Sequence, residues 1–248
     1  MVHDTIPLDL PQTQKAGASE RFRRKLALVA GAADIVIAPA KATAAEVARH
    51  LAAMGGRAET ILASPGVSVS EPGSLPEAVS ASRPFFVALG TIEPRKNHAL
   101  LLDLWRDSGT LSVSPQLVIA GRRGWSSEAT FRRLDAMAGD GDVIEFNDLD
   151  DRSVAGLLKS ANGLLFPSLA EGFGYPPLEA ASLGTPVVAT PLPQIRELLG
   201  NTVVYAEPTE LYQWKRAIEG LAGARAEKAV PPLPNWRDHF NIVLNALG

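Results

Sequence analysis

From residue 85 onward, short apolar runs rich in β-branched residues alternate with segments whose apolar positions recur at helical spacing. Such runs are typical of strands buried on both faces, and their alternation with helices indicates a parallel sheet. The predicted strands cover residues 85–89, 116–120, 143–146, 163–166, 186–189 and 203–205. The predicted helices cover residues 98–106, 127–137, 150–160, 177–183, 194–199 and 209–221. We therefore expect an α/β domain with a doubly wound parallel sheet.

The chain before residue 85 repeats this pattern only in part. Two helices are predicted at residues 18–31 and 43–54, with a short strand between them at 35–38. These elements are fewer than an independent α/β domain needs. Residues 71–83 are rich in Pro, Ser and Gly, which is typical of an interdomain linker. The sequence thus predicts a partial N-terminal α/β domain, a linker at 73–83 and a complete domain after it.

The amino-acid composition limits the classes of protein to which the chain can belong. Hydrophobic residues make up 46% and charged residues 21% of a 248-residue chain, which are globular proportions with enough length for a buried core. The net charge of −3 gives no general attraction to nucleic acid, so any phosphate binding has to be local. The chain has no cysteine, no signal-peptide pattern and no uncharged apolar run near the roughly 18 residues that span a bilayer. We expect a soluble cytoplasmic protein without disulfides or thiolate chemistry.

Three loops follow predicted strands at their carboxyl ends, where open α/β sheets bind their ligands. They cover residues 90–97, 121–125 and 167–176, and we expect them to form one crevice. The first loop contains Arg95 and Lys96, whose positive charges suit a diphosphate. A solvated basic loop is the alternative interpretation.

The third loop separates two carboxylates by a flexible elbow. Two glycines and two adjacent prolines stand between Glu171 and Glu179. The glycines allow backbone torsions closed to other residues, whereas the prolines suit the first turn of a new helix. Glu171 is therefore predicted on the loop and Glu179 in the first turns of a helix, whose free N–H groups favour anions. On this spacing alone, an ordinary strand-to-helix turn with two solvated glutamates remains the alternative.

Glu171 to Glu179 match an E-x7-E motif, and the chain resembles the large family of retaining glycosyltransferases with two Rossmann-like domains, the GT-B architecture. The resemblance continues, in the family's order, through G-T-I-E-P-R-K-N at 90–97, L-V-I-A-G at 117–121, G-T-P-V-V-A at 184–189 and P-Q-I-R-E at 193–197. It implies that residues 84–230 bind a nucleotide sugar and that residues 1–72 belong to the acceptor-side domain. It also implies that residues 231–248 form a helix that crosses back toward the N-terminal part. The front half of the first domain is then missing, as in an N-terminally truncated member.

The resemblance also implies roles for single residues. The family's phosphate-binding lysine falls on Lys96, and our hypothesis is that Arg95 replaces an arginine that many members carry where this chain has Thr91. Glu179 would accept hydrogen bonds from ribose hydroxyls, and Glu171 would face the transferred sugar. The other residues assigned to the donor site are Gly90, Thr91, Gly121, Arg122, Gly172, Phe173, Gly174 and Leu178.

His3 matches a family histidine near the transferred sugar, although residue three of a chain is ordinarily frayed. Together with Glu171, Lys96 and Arg95, it completes the candidate catalytic set. The basic residues in 21–25 could rest on anionic lipid, and a merely solvated helix face is the alternative.

The D-L-D sequence at 148–150 is similar to the metal motif of a different glycosyltransferase architecture. Asp150 or Asp151 stands where a predicted helix begins and is better explained as its N-cap, so we expect no metal ion. Arg122 and Arg123 in the second loop either reach the nucleotide or are solvated.

The leading hypothesis is the transfer of a hexose, with retention, from a GDP- or UDP-linked donor to a saccharide or lipid-linked acceptor. No cofactor is expected, and the context would be surface polysaccharide assembly. Likeness to mannosyltransferases favours mannose and a guanine nucleotide. One alternative is a donor-binding half that needs a separate acceptor-binding chain, and another is an inactive remnant that still folds. The expected location is the cytoplasm, with peripheral contact at the inner face of the membrane.

Overall fold

The computed structural model describes residues 1–106, 111–125, 127–139, 141–223 and 230–248. The strands in these ranges are β1 (Ile35–Ala38), β2 (Glu59–Leu62), β3 (Phe85–Leu89), β4 (Gln116–Ala120), β5 (Val143–Phe146), β6 (Gly163–Phe166), β7 (Val187–Ala189) and β8 (Val204–Tyr205). The helices are α1 (Ile6–Asp9), α2 (Ala18–Ala32), α3 (Lys41–Ala53), α4 (His98–Arg106), α5 (Glu128–Met137), α6 (Asp151–Ser160), α7 (Tyr175–Ser182), α8 (Pro193–Leu199), α9 (Leu211–Ala222) and α10 (Trp236–Leu247).

The larger sheet runs in the order β5-β4-β3-β6-β7-β8, and its neighbouring strands pair in parallel. The chain starts in the middle at β3, moves outward through β4 and β5, and then crosses to β6 on the other side of β3. The direction of winding therefore reverses between β3 and β6. Loops that leave these two strands part from each other and open a crevice at the carboxyl edge of the sheet. The predicted doubly wound parallel sheet is confirmed.

Successive side chains of the central strands enter two separate cores, one on each face of the sheet. Val87 and Leu164 pack with α6, α7 and α8 on one face. Phe86 and Leu165 pack with α4, α5 and α9 on the other face, where Trp214 is fully buried. Because both faces are covered, the strands consist almost entirely of apolar residues. This is why the apolar runs located them in the sequence.

Most predicted elements lie within two residues of the observed ones, and the differences have local causes. The helix predicted at 177–183 begins at Tyr175, because Gly174 adopts a left-handed conformation (φ 97°) that ends the loop directly before it. Pro176 and Pro177 then lie inside the first turn, where their missing N–H groups cost nothing. Strand β2 was not predicted, because it is short and only partly buried.

The first 67 residues form a smaller unit that packs against the larger domain. Strands β1 and β2 pair in parallel, and α2 and α3 cover them through a small core that contains Leu26 and Val47. Helix α10 contacts this unit, since His239 Nδ1 lies 3.1 Å from the carbonyl oxygen of Ala63. The backbone N–H of Val67 also donates to the carbonyl of Pro234 at 3.0 Å. The C-terminal helix therefore packs against the N-terminal unit.

The segment predicted as a linker at 73–83 is attached to the larger domain. The N–H of Gly73 donates to the carbonyl of Arg152 at 2.8 Å, and Val79 is buried in the core. Gly73 also lies against Gly156, where an added Cβ would stand 2.3 Å from the Gly73 carbonyl oxygen. These contacts hold the segment along α6, close to the crevice.

None of the helices in the described ranges combines the length and the hydrophobicity that crossing a bilayer requires.

Candidate functional site

The two loops at the reversal point of the sheet carry the charged residues of the site. After β3, residues Pro94–Lys96 form a single 3-10 turn that ends at Asn97 in a left-handed conformation (φ 54°). This turn directs Arg95 and Lys96 toward the loop after β6. The two loops are joined by a backbone hydrogen bond of 2.7 Å from the N–H of Leu169 to the carbonyl of Arg95. The separate predictions for the two loops thus concern one site.

Glu171 forms ion pairs with both cations through a single carboxylate oxygen. Its Oε1 lies 2.6 Å from Nζ of Lys96 and 3.0 Å from Nη1 of Arg95. Arg95 also pairs with Glu93 through its Nε at 2.6 Å, and Lys96 Nζ lies 4.9 Å from the centre of the Phe166 ring. Lys96, Glu171 and Glu93 are buried. Removed from bulk water, these charges interact strongly, and each holds the others in place.

In this cluster, burial and the neighbouring opposite charges have opposing effects on the pKa of each group. Burial raises the pKa of Glu93, although Arg95 and Lys96 act against it, and Oε2 of Glu93 has no hydrogen-bond partner among the residues that the structure describes. Burial also raises the pKa of Asp4, against a hydrogen bond from the N–H of Ile6. For Arg95, burial alone would lower the pKa, but the carboxylates of Glu171 and Glu93 outweigh it and raise it. Arg95 therefore stays fully charged.

Gly172, next to Glu171, lies against the first residues of the chain. A Cβ added at this glycine would stand 2.0 Å from the carbonyl oxygen of His3, so only glycine fits there. The hydroxyl of Thr43 donates to the Gly172 carbonyl at 2.6 Å from within the smaller unit. His3 is thus held next to the glutamate loop despite its position near the chain end, and its side chain is exposed.

Phe173 fills the space beneath the elbow rather than the crevice. It is buried in the core and makes an edge-to-face contact with Tyr175, with ring centres 5.1 Å apart. Leu178, which was assigned to the donor site, has a fully buried side chain in the same core. Its side chain therefore supports the loop from below, and a contact of that side chain with a ligand is excluded.

Glu179 lies on α7 at the edge of a cavity of about 300 Å³ that Ser68 and Asp151 also line. Burial, followed by repulsion from Asp151, raises the pKa of its carboxyl group. No hydrogen bond or ion pair to its carboxylate is found among the residues that the structure describes. A half-buried carboxylate facing a cavity is a good acceptor for two neighbouring hydroxyl groups of a ligand.

A second cavity of about 270 Å³ adjoins the first and is lined by Gly90, Gly121, Arg122 and Asn147 among others. A Cβ at Gly121 would stand 2.0 Å from the carbonyl oxygen of Gly90, so glycine lets the two loop backbones approach each other. Thr91 lines the same cavity and is exposed. The predicted donor-side glycines therefore shape the floor of this cavity.

The two arginines of the second loop have different surroundings. Arg122 lines the cavity and has a highly exposed side chain, 3.2 Å from Asp148. Arg123 is held by Asp135 and Glu145 at 2.6 and 2.7 Å. Arg122 is therefore the one of the two that can reach a ligand in the cavity, whereas Arg123 stabilises the loop.

Asp150 caps α6, as predicted for this position or the next. Its carboxylate accepts a hydrogen bond of 2.7 Å from the N–H of Ser153. The basic residues of α2 lie on a solvated face, where Arg23 and Arg24 both pair with Glu20.

Several residues near the crevice were not predicted from the sequence. Glu93 and Asp4 stand beside residues that were predicted, within the same short motifs, but their charges had no assigned role. Trp125 donates from its indole Nε1 to the carbonyl of Thr13 at 3.1 Å, and Nζ of Lys15 lies 5.1 Å from the centre of the indole ring. This contact joins the loop after β4 to the N-terminal unit, and no local pattern in the sequence signals it.

A doubly wound parallel sheet with charged loops and adjoining cavities at its reversal point places the chain among the open α/β proteins, whose ligands bind at this edge of the sheet. Within this class, the family model described as "Glycosyl transferases group 1" matches residues 76–225, and the chain belongs to that family.

Similar proteins agree with this assignment. The chain is 25% identical over 274 residues to "Serotype-specific mannosyltransferase WbdA" of Escherichia coli, with 100% of this chain and 33% of the relative covered. It is 29% identical over 140 residues to "O-antigen chain mannosyltransferase RfbU" of Salmonella typhimurium, with 55% and 38% covered. The chain thus spans about a third of the length of these relatives.

Solved structures show the same fold. HepE of Anabaena, crystallised with UDP and glucose, is 18% identical with a TM-score of 0.72, covering 99% of this chain and 69% of that one. Sucrose-phosphate synthase of Thermosynechococcus elongatus is 20% identical with a TM-score of 0.68, covering 94% and 60%. The fold is therefore that of GT-B glycosyltransferases.

Proposed function

We propose that this chain binds a nucleotide-diphospho-sugar and supplies the donor side of a retaining hexosyl transfer. The observation that carries the proposal is the pair of cations Arg95 and Lys96 at the reversal point of the sheet, beside the Glu171 carboxylate. A diphosphate that leaves a sugar gains negative charge in the transition state. Cations held in position by buried ion pairs stabilise that charge without reorganising.

The order of groups along the crevice supports a nucleotide sugar over a simple phosphate. We assign the base to the cavity of about 270 Å³ that Gly90 and Asn147 line. The adjoining cavity presents Glu179 to the ribose hydroxyls. We assign the diphosphate to the two cations, and the transferred sugar to the neighbourhood of Glu171 and His3.

We infer that transfer retains the anomeric configuration through attack on the same face of the sugar that the phosphate leaves. The departing phosphate oxygen takes the proton of the acceptor hydroxyl as the new glycosidic bond forms. The protein then contributes mainly by neutralising the diphosphate through Lys96 and Arg95 and by aligning the two substrates. No metal ion and no cofactor are required in this scheme.

The names of the relatives favour mannose as the hexose, since WbdA and RfbU are both described as mannosyltransferases. HepE, with the same fold, is described in complex with UDP and glucose. The donor is accordingly proposed as GDP- or UDP-linked, and the acceptor as a saccharide or a lipid-linked saccharide. Such an acceptor would place the protein in the cytoplasm, at the inner face of the membrane.

A second candidate function is a donor-binding half that acts together with a separate acceptor-binding chain. Two observations favour it. The described part of the smaller sheet contains only β1 and β2, and parallel sheets this small need further cover. On α10, the apolar residues Phe240, Leu244 and Leu247 recur at helical spacing and are more than half exposed.

Calorimetric titration with GDP, UDP and ADP and with their sugar conjugates tests donor binding directly. We expect GDP or UDP to bind and ADP to bind least. Hexose transfer by the chain alone, measured with a radiolabelled donor and a mannose-terminated acceptor, separates the two candidates. Binding without transfer favours the donor-binding half, and no binding of any nucleotide contradicts both.

The raised pKa of Glu179 makes nucleotide binding and stability depend on pH. The ionised carboxylate accepts both ribose hydroxyls, so affinity for the nucleoside diphosphate should fall on acidification, starting above the ordinary glutamate pKa. Because the folded state holds this proton more tightly than the unfolded state, the free energy of unfolding should fall as pH rises through the same window. Both quantities are measured between pH 4 and 8, by calorimetry and by urea unfolding.

The Glu179→Gln variant is the control for this pH dependence. The diphosphate itself also titrates in the range, so the informative quantity is the ratio of wild-type to variant affinity at each pH. A ratio that does not change with pH would contradict the assigned role of Glu179.

A further inference from the structure

Both cations of the site are already neutralised by carboxylates of this chain. Lys96 and Arg95 donate to the same oxygen of Glu171, at 2.6 and 3.0 Å, and Arg95 has a second partner in Glu93 at 2.6 Å. Asp4 is close enough to contribute to the electrostatic environment of Arg95 as well. Three acidic groups therefore surround two basic ones.

This balance is unfavourable for a further anion. A diphosphate carries at least two negative charges, and in a partly buried site it would be repelled by carboxylates that remain in place. It would also need the same N–H donors that Glu171 now occupies. One carboxylate therefore has to leave the cations when the diphosphate arrives.

Glu171 is the carboxylate suited to leave. Glu93 lies deeper, with 3% of its surface exposed against 9% for Glu171, and the ion pair that its carboxylate forms among the described residues is with Arg95. Glu171 contacts both cations from the loop across the crevice, at the point where the diphosphate would lie. Its removal would free one donor of each cation at once, while Glu93 continues to orient the guanidinium of Arg95.

We propose that Glu171 is an exchangeable counter-ion, which the diphosphate of the donor displaces from Arg95 and Lys96. This inference rests on the proposed function and adds a sequence of events to it. The carboxylate neutralises the cations until the diphosphate takes its place. Once displaced, it is free to turn toward the transferred sugar. Binding of the diphosphate and movement of Glu171 toward the sugar therefore occur together.

The Glu171→Gln variant tests this exchange with inorganic pyrophosphate, which needs no base or ribose contact. Glutamine keeps the length of the side chain but removes the charge that competes with the ligand. We expect calorimetry to show pyrophosphate bound about tenfold more tightly by the variant than by the wild type. Glu59→Gln is the control, because it removes one negative charge at an exposed position of β2, outside the crevice. It should change pyrophosphate affinity by less than about twofold.

Thermal unfolding supplies a second readout. Without pyrophosphate, Glu171→Gln should unfold at a lower temperature than the wild type, because it leaves buried Lys96 without an anionic partner. Saturating pyrophosphate should raise the unfolding temperature of the variant more than that of the wild type.

Equal or weaker pyrophosphate binding by Glu171→Gln, or no binding to it, overturns the exchange. Nucleoside diphosphates separate this result from the proposed function. If the wild type binds GDP or UDP and the variant binds it no more tightly, the exchange is wrong and the donor site stands. If the variant binds pyrophosphate more tightly while no nucleotide binds the wild type, the exchange holds and the nucleotide-sugar proposal fails.

Discussion

Replacing Lys96 with alanine is expected to weaken binding of the nucleoside diphosphate by about 100-fold, which corresponds to about 3 kcal/mol. The ammonium group lies in a buried position between Glu171 and the Phe166 ring, where a cation interacts with an anion more strongly than it does in water. Hexose transfer should fall further than binding, because the charge on the leaving phosphate is largest in the transition state. Calorimetry measures the first effect, and single-turnover transfer measures the second.

Lys25→Ala is the control for this variant, since Lys25 is an exposed lysine of α2, away from the crevice. It should bind the nucleotide like the wild type. Retention of affinity within about twofold by Lys96→Ala would show that the diphosphate does not lie on this lysine.

Replacing Gly172 with alanine should destabilise the protein and disrupt the site together. The new Cβ would stand 2.0 Å from the carbonyl oxygen of His3 and 2.9 Å from Cβ of Asp4, so backbone has to move. Overpacking of this kind costs about 1–3 kcal/mol. Differential scanning calorimetry should show a midpoint lower by roughly 2–4 °C for each kcal/mol. Nucleotide affinity should fall as well, because the displaced residue is adjacent to Glu171.

Gly220→Ala provides the opposite result in the same protein. Gly220 is exposed within α9, and beyond the backbone of that helix no atom of the described residues stands within 4 Å of an added Cβ. Alanine there should raise the free energy of unfolding by about 0.5–1 kcal/mol and leave nucleotide binding unchanged.

If Gly172→Ala proves as stable as the wild type, His3 does not lie against the glutamate loop as described.

The sequence predicted the larger sheet well because its central strands lie between two apolar cores. In Phe85–Leu89 and Gly163–Phe166, burial on both faces leaves uninterrupted apolar runs that are recognisable without any partner. Strand β2 escaped prediction because its four residues are partly exposed, and its place depends on pairing with β1. The strand therefore forms through a tertiary contact, which no local sequence pattern predicts.

For the site, local patterns predicted which loops matter but not how their residues pair. Lys96 and Glu171 were each assigned a role, yet their ion pair joins positions 75 residues apart. The role of Glu93 depends on that same fold, since it acts by holding Arg95. The side chain of Leu178 is fully buried in the core, so a contact of this residue with a donor would have to come from its backbone. A motif predicts the helix or loop on which a residue lies, whereas the direction of that residue's side chain depends on packing.

The tryptophans of this chain differ in how a separation of its two units would change their exposure to water. Trp125 lies at the boundary between the N-terminal unit and the larger domain, where it contacts Thr13 and Lys15. Trp236 lies on α10 against Gly66 and is already 45% exposed. Trp105 and Trp214 belong to the core beneath the sheet. Separation of the two units would expose the Trp125 indole to water, whereas global unfolding would expose Trp105 and Trp214 as well. Intrinsic fluorescence therefore offers a label-free signal that distinguishes opening of the crevice from loss of the fold.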